Sequence, residues 1–302
     1  MKPKLYKNMV GVALATTLIA GNVMPTFTHA AANTSTQATQ QAVSNTSLGK
    51  VKIDQASYFE LKDVNMLTSS NGKIVSFKVT INNKSNKDIF LIDYWVNLKS
   101  QSGTKYTVNL IPDDQKVSRI AANNSQTLTY YANVSGNLNL KDLKVEFIKW
   151  DFNQPNNELS LGSINIPATY NASTPAGKKR NIEVNGTTIQ TSIDRFTMGK
   201  TEKFHKPIIT FKMQNVGTQS FVAPAYEFKL VTASGLTYPL SAKGLENLTL
   251  TPKLSADITL TGSIPIEVDT KGTKLLVTLP VTDAKISLPV SSYNMLSVDL
   301  HT

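Results

Sequence analysis

The feature that most constrains the fold of this chain is a pair of similar segments in which apolar and polar residues alternate. Residues 75–81 read VSFKVTI and residues 209–213 read ITFKM, so every second residue is apolar. A period of two residues places alternate side chains on opposite faces of a β-strand. No segment after the first thirty residues shows a convincing helical period. We therefore expect an all-β protein.

Three further pairs of segments match in the same order along the chain. Residues 98–106, LKSQSGTKY, correspond to residues 230–238, LVTASGLTY, and both contain a Ser-Gly pair. Glycine accepts a positive φ, so we expect a hairpin turn at Gly103 and at Gly235. The two remaining pairs of alternating segments follow at 128–134 with 258–264 and at 143–147 with 275–279. Four collinear matches predict that one β-domain is present twice.

Short strands separated by turn residues, about seven in 120 residues, predict a β-sandwich in each copy. Turn signals such as Asn71-Gly72 recur between the alternating runs. We place the first domain at 48–168 and the second at 181–300. Residues 169–180 are poor in bulky apolar side chains and contain Pro175, so we expect a short, exposed linker there.

The pattern resembles the immunoglobulin-like β-sandwich domains of secreted and surface proteins in Gram-positive bacteria. In each copy an alternating strand runs into an asparagine and is followed by an aromatic strand and a Ser-Gly hairpin. The residues that carry this resemblance are Val75–Ile81 with Asn82-Asn83, Tyr94-Trp95-Val96 and Ser102-Gly103 in the first copy, and Ile209–Met213 with Asn215, Tyr226-Glu227-Phe228 and Ser234-Gly235 in the second. The resemblance is one of fold, so it implies adhesion, spacer or ligand-binding roles without assigning a functional residue.

The first thirty residues have the pattern of a cleaved signal peptide. Three lysines precede an apolar run of 12 residues from Met9 to Ala20, which is too short to span a bilayer. Small residues favour cleavage after Ala30 or after Ala32. Residues 31–47 carry no charge and no hydrophobic period, and we expect a disordered spacer there. The mature chain contains no second long apolar stretch, so we expect a secreted protein without a transmembrane segment.

Composition excludes several kinds of chemistry. The chain has no cysteine, which rules out disulfides, thiolate metal sites and a cysteine nucleophile. Its three histidines are His29, His205 and His301, and none lies in a nucleophile motif. We therefore expect a protein that is not an enzyme and that needs neither a cofactor nor a metal.

Two acidic sites leave alternatives open. Asp113-Asp114 follows Ile111-Pro112, and Asp151 follows Trp150. Carboxylates near an aromatic residue are compatible with calcium binding or sugar hydrolysis. The sequence lacks a calcium-loop spacing, however, and aspartates in turns commonly accept hydrogen bonds from local backbone N–H groups. We favour this second interpretation.

Aromatic residues suggest one candidate binding surface. Trp95 lies in an expected strand, and the second copy has Glu227 at the corresponding position. Since a core position would keep an apolar side chain, Trp95 is a candidate for an exposed residue that forms an aromatic patch with Tyr131. The alternative is that Trp95 packs against a neighbouring loop.

The positive charge suggests a second binding surface. The chain carries 31 basic and 21 acidic residues, a formal net charge of +10. We expect a basic cluster at the start of the second domain. It consists of Lys178, Lys179, Arg180, Lys200 and Lys203, and Lys206 adds a sixth positive charge. A cluster of this kind attracts an anionic cell-envelope polymer, although charge runs are also common on solvated faces. Nucleic acid is not the expected partner.

These observations predict a secreted, non-catalytic binding or spacer protein that is associated with the cell wall and uses loops and an exposed sheet face. The alternative is a secreted inhibitor or effector-type binder of an extracellular protein.

Overall fold

The structure, a computed structural model, describes residues 47–184 and 186–295. The expected signal peptide, all but the last residue of the expected spacer, and His301 lie outside these ranges. All described residues fall within one compact unit. Within the described ranges no helix is long and apolar enough to cross a membrane.

The first half of the described chain is built from strands and three short 3₁₀ turns. The strands are β1 (Gly49–Lys52), β2 (Tyr58–Ser69), β3 (Gly72–Asn82), β4 (Ile89–Phe90), β5 (Tyr94–Ser100), β6 (Lys105–Tyr106), β7 (Val108–Leu110), β8 (Arg119–Ile120), β9 (Ser125–Val134), β10 (Leu143–Trp150) and β11 (Glu158–Asn165). The 3₁₀ turns are Leu91–Asp93, Asp114–Lys116 and Leu140–Asp142.

The second half consists of strands joined by turns. They are β12 (Ser173–Thr174), β13 (Arg180–Val184), β14 (Thr187–Lys200), β15 (Phe204–Asn215), β16 (Phe221–Val222), β17 (Glu227–Val231), β18 (Thr237–Lys243), β19 (Thr249–Leu250), β20 (Ser255–Gly262), β21 (Ile264–Pro265), β22 (Lys274–Val281) and β23 (Ile286–Asn294). The expectation of an all-β chain is confirmed.

Two sheets enclose the core of the first half. One has the strand order β1-β2-β3-β9-β7 and the other has the order β11-β10-β5-β6. Alternate residues of each strand face inward, as the stacked rings of Phe59 and Phe147 illustrate, with centroids 5.0 Å apart. Phe77, Leu98 and Phe147 are completely buried in this core. Burial of one such side chain contributes about 2 kcal/mol, which makes this core the main source of stability in the half.

The second half has the same pairing order in one continuous sheet, β12-β23-β22-β17-β18-β20-β15-β14-β13. Strand β18 joins its two parts, because Tyr238 pairs with β17 and Ala242 pairs with β20. In the first half two short strands, β6 and β7, make the corresponding contacts with β5 and β9. A separate apolar core, which includes Phe211, Phe228 and Tyr293, fills this half.

The two Ser-Gly hairpins adopt the expected conformation. Gly103 has a φ of 98° and Gly235 has a φ of 87°. At each turn the glycine N–H donates to the carbonyl three residues earlier, that of Ser100 or of Thr232. The expected positive-φ glycine turns are therefore confirmed.

The segment 169–180 differs from the exposed linker that composition predicts. Strand β12 pairs in parallel with β23, and the side chains of Ser173, Thr174 and Arg180 are buried. The buried part of the segment lies against strand β23 of the second half. Small polar side chains suit this position because they form hydrogen bonds there, such as the 2.9 Å contact between the Ser173 and Ser292 hydroxyls. The segment is therefore mixed, since Thr169, Asn171, Pro175, Ala176 and Lys178 are exposed. The domain boundaries stay a prediction.

Candidate functional site

The outer face of the sheet that contains β3 and β9 packs against the second half. Ile74 and Tyr131 of this face form a small apolar cluster with Val281 and Leu288 of strands β22 and β23. The polar residues that alternate with the core of β3 also face the second half. Ser76 donates a hydrogen bond to the Pro289 carbonyl.

A buried ion pair links the two halves. Asp63 lies at a bulge in β2 with a φ of 48°, and Arg180 is the first residue of β13. One Arg180 nitrogen donates to Asp63 Oδ1 over 2.8 Å, and another donates to the Ala172 carbonyl. Burial is the largest influence and acts against the positive charge of Arg180, but the charge and hydrogen bond of Asp63 together with Tyr293 and Tyr170 outweigh it, so the pKa of Arg180 is raised. Arg180 therefore stays positively charged in the folded protein.

Lysine and hydroxyl groups extend the polar contacts beside this pair. Lys78 Nζ donates to the Glu183 carbonyl over 2.8 Å and lies 3.7 Å from Asp63 Oδ2. Thr127 donates to Glu183 Oε2 over 3.2 Å. Burial raises the pKa of Tyr170 to about 12, and its hydroxyl donates to the Val64 carbonyl. These bonds fix the two halves to each other.

A cleft of about 470 Å³ opens between the halves next to these contacts. Its polar wall consists mainly of side chains from β3 and β9, among them Lys78, Thr80, Thr127 and Thr129. The opposite wall comes from the second half and is largely apolar, with Val184, Pro224, Tyr226, Leu279, Leu288 and Val290. The cleft is within the size range of small-molecule sites, about 300–1,000 Å³.

Two carboxylates in the cleft have no cationic partner within the described residues, Asp114 and Glu183. Burial raises the pKa of Asp114, while hydrogen bonds from Thr129, including one of 2.6 Å from its backbone N–H, and the charge of Lys78 oppose this shift. Asp113 beside it pairs with Lys116 instead, at 2.9 Å on the surface. The cleft is therefore an acidic region in a basic protein.

The expected basic cluster separates into distinct places. Arg180 is buried in the ion pair, so it belongs to the contact between the halves and not to an exposed surface. Lys178 is exposed and Lys179 is partly exposed in the turn before β13. Arg180 pairs with Thr191 of β14, and Lys200 lies nine residues further along that strand. At a rise of ~3.4 Å per residue, this separation is about 30 Å.

Lys200 and Lys203 lie at the end of a long hairpin formed by β14 and β15. All residues from Gly199 to Phe204 are exposed at this tip. The Lys206 ammonium lies 5.1 Å from the centroid of the Phe204 ring and donates to Ser263. Among the described residues, these three lysines form no ion pair. The hairpin tip, defined as residues 199–206, thus combines positive charge with an exposed aromatic ring.

The structure does not bring Trp95 and Tyr131 together. Trp95 packs edge-on against Tyr130, with centroids 5.9 Å apart, and lies beside Leu91 and Val117 of neighbouring loops. Tyr131 is on the opposite face of β9 and is buried against the second half. Tyr130 and Tyr131 are consecutive in β9, so their side chains point to opposite faces of the sheet. Trp95 packs on Tyr130 and therefore cannot form one patch with Tyr131. This arrangement corresponds to the alternative interpretation of Trp95.

A different apolar surface, which sequence reasoning missed, lies at one end of the first half. Because Tyr94 pairs with Lys149, the residues before β5 and after β10 emerge at the same end of the sheet. The exposed side chains there are Phe90 (52% exposed), Ile92 (82%), Trp150 (38%) and Phe152 (84%). We call these four the loop-end cluster. The sequence indicates this cluster only weakly. Single apolar residues near turns do not show which other residues lie beside them in the folded protein.

The remaining candidate residues have structural partners. His205 is half-buried, and its Nε2 lies 3.2 Å from the Ile266 carbonyl. Asp151 Oδ1 accepts a hydrogen bond from the Asn153 N–H, and this bond lowers the pKa of Asp151. The interpretation of Asp151 as a turn aspartate is confirmed. Within residues 47–184 and 186–295, no three His, Asp or Glu side chains group closely enough to hold a metal ion.

No protein-family model matches the chain, and no curated protein matches it significantly.

Proposed function

We propose that this chain is a secreted, non-catalytic binding protein of the cell envelope, built from two tandem immunoglobulin-like β-sandwich domains that arose by duplication. The common pairing order supports the duplication: β1-β2-β3-β9 corresponds to β13-β14-β15-β20, and β11-β10-β5 corresponds to β23-β22-β17. Rigid sandwiches that present loops are well suited to binding.

The hairpin tip is the observation that carries the envelope-binding role. It contains Lys200, Lys203 and Lys206 against the single acidic residue Glu202, with Phe204 exposed between them. Exposed charges of one sign attract an anionic polymer, and this attraction is screened over roughly 8 Å at physiological salt. The proposed partner is therefore an anionic envelope polymer, bound in a salt-sensitive manner.

Co-sedimentation of the full chain with isolated cell walls, over a series of salt concentrations, tests this role. We expect retention at low salt that falls as salt rises. A variant with Lys200→Glu, Lys203→Glu and Lys206→Glu should remain in the supernatant. The matched control reverses three exposed lysines elsewhere, Lys84, Lys87 and Lys141, and produces the same change in net charge.

The control should keep most of its retention, because the proposal assigns binding to one place and not to net charge. Equal loss in both variants would show nonspecific attraction. Retention that does not respond to salt would also contradict the proposal.

The loop-end cluster favours a second function, the binding of an extracellular partner protein. Four exposed apolar side chains at one end of the first half resemble the aromatic-rich centre of many protein interfaces. A pull-down from culture medium with the wild-type chain and with Ile92→Ser/Phe152→Ser separates the two functions. A stoichiometric partner lost only in this variant would favour the second function over envelope binding.

A further inference from the structure

Two buried polar atoms without a hydrogen-bond partner in the described ranges lie on residues of the cleft between the halves, although Asp63 is ion-paired with Arg180 and Lys78. Among the described residues, Asp63 Oδ2 and Asn82 Nδ2 are buried and have no hydrogen-bond partner. Both residues line the cleft, and the Asp63 side chain is only 4% exposed. Each of the two atoms has less than 1 Å² of accessible surface, so a ligand reaches them only when neighbouring side chains move, and the other polar groups of the lining carry the recognition.

One of these atoms is an acceptor and the other is a donor. A hydroxyl group both donates and accepts, so a single kind of ligand group can bond to donors and acceptors of the cleft alike. The polar wall adds further hydroxyls from Ser125, Thr127 and Thr129, and carboxylate acceptors from Asp114 and Glu183. A ligand with several hydroxyl groups matches this wall.

The second wall requires an apolar surface on the same ligand. Pro224, Tyr226, Leu279 and Leu288 form a wall that lies across the cleft from the hydroxyl-bearing strands. A pyranose ring has C–H groups on one face and hydroxyls around its edge, which suits a site with one apolar and one polar wall. We propose that the cleft binds a mono- or disaccharide. This proposal does not depend on the hairpin tip and goes beyond the polymer binding assigned to it.

Nuclear magnetic resonance titration of the full chain with glucose, N-acetylglucosamine and maltose tests the proposal. We expect at least one of these probes to shift the methyl resonances of Leu279, Leu288 and Val290. Spermidine, which carries charge but no hydroxyl group, is the control ligand. Shifts with spermidine alone would overturn the proposal and assign the cleft to a cation.

A matched pair of variants tests the position of the site. Thr129 lines the cleft, and Thr259 holds the corresponding place in β20, outside the lining. Thr129→Val should weaken saccharide binding about fivefold, the loss expected for one neutral hydrogen bond. Asp114→Asn should weaken it about tenfold, because hydrogen bonds to a charged acceptor are stronger.

Thr259→Val should leave the affinity unchanged, and the spectra of the unliganded variants report whether each is folded. Equal weakening by the two threonine variants would overturn the assignment to the cleft. The absence of any shift with all three saccharides would overturn the proposal as a whole. Neither result would affect the salt-dependent retention that tests the hairpin tip.

Discussion

Asp63 accepts a 2.8 Å hydrogen bond from Arg180, which lies 117 residues further along the chain, and both side chains are almost completely buried. The bond joins a bulge of the first half to the first residue of strand β13 in the second half. Because charges are costly to bury alone, each residue requires the other. The pair is thus a buried contact between the two halves, and Asp63 also lines the cleft beside it.

Replacing Asp63 should destabilise the protein. Asp63→Asn leaves the Arg180 charge buried without a counter-charge, and we expect a loss of about 3 kcal/mol in the free energy of unfolding. Asparagine tolerates the positive φ of this position, so backbone strain does not add to the effect. Urea denaturation measures the difference. The control is Asp113→Asn, which breaks the exposed pair with Lys116 and should cost less than about 1 kcal/mol. Similar losses in both variants would contradict a special role for the buried pair.

Two buried asparagines should contribute similarly in the two halves. Asn83 Nδ2 donates to the carbonyls of Lys87, Ile120 and Ala121, and Asn215 Nδ2 donates to those of Gln219 and Leu250. Each side chain therefore links the loop after its own strand to a short strand elsewhere in its half, β8 for Asn83 and β19 for Asn215.

Asn83→Ala and Asn215→Ala should each reduce the free energy of unfolding by about 2–3 kcal/mol, because one buried carbonyl and one or two partly buried carbonyls lose their donor. The exposed Asn124 serves as a control, and Asn124→Ala should change stability by less than about 0.5 kcal/mol. Chemical denaturation of the three variants provides the measurement. A large loss of stability in only one of the two asparagine variants would contradict an equivalent role for Asn83 and Asn215.

The raised pKa of Asp114 predicts a dependence of stability on pH. The folded protein holds the Asp114 proton more tightly than the unfolded chain, chiefly because of burial. As pH rises above the unfolded value of about 3.9, the unfolded chain ionises first and this group lowers stability. Asp114→Asn should therefore be more stable than the wild type at pH 7, with a difference that shrinks toward pH 4. Urea denaturation across this range tests the sign, and a difference that grows on acidification would contradict it.

The loop-end cluster should contribute little to folding. Phe152 is 84% exposed, whereas Phe147 on the preceding strand is completely buried. Phe152→Ala should therefore change the free energy of unfolding by less than about 0.5 kcal/mol, and Phe147→Ala should cost about 3–5 kcal/mol. Thermal unfolding of both variants measures the contrast. A large loss in Phe152→Ala would show that this side chain serves the fold and not a partner.

Local sequence patterns predicted the strands and several turns, because both depend on neighbouring residues. The alternation at Val75, Phe77 and Val79 reports which side chains enter the core, and the glycine of a Ser-Gly pair reports a positive φ. The same alternation left Ser76 and Lys78 as an expected solvent face. They contact the second half instead, since nothing local indicates that another sheet will cover a polar face.

The candidate sites were harder to predict for the same reason. Arg180 follows two lysines in sequence and was grouped with them, yet its partner Asp63 comes from a bulge far away in the chain. Trp95 and Tyr131 were grouped as aromatic residues, although their strands present them to different surroundings. Asp114 and Glu183 line the same cleft, and the cleft depends on how the halves pack, which composition does not specify.

The most direct measurement of envelope binding is a hydrogen-exchange comparison of the full chain with and without isolated cell-wall polymer at low salt. The account predicts slower exchange in the hairpin tip, residues 199–206, with little change in the core strands β3 and β9 and recovery of the free rates at high salt. Protection elsewhere without change at the tip, or no protection at all, would contradict it.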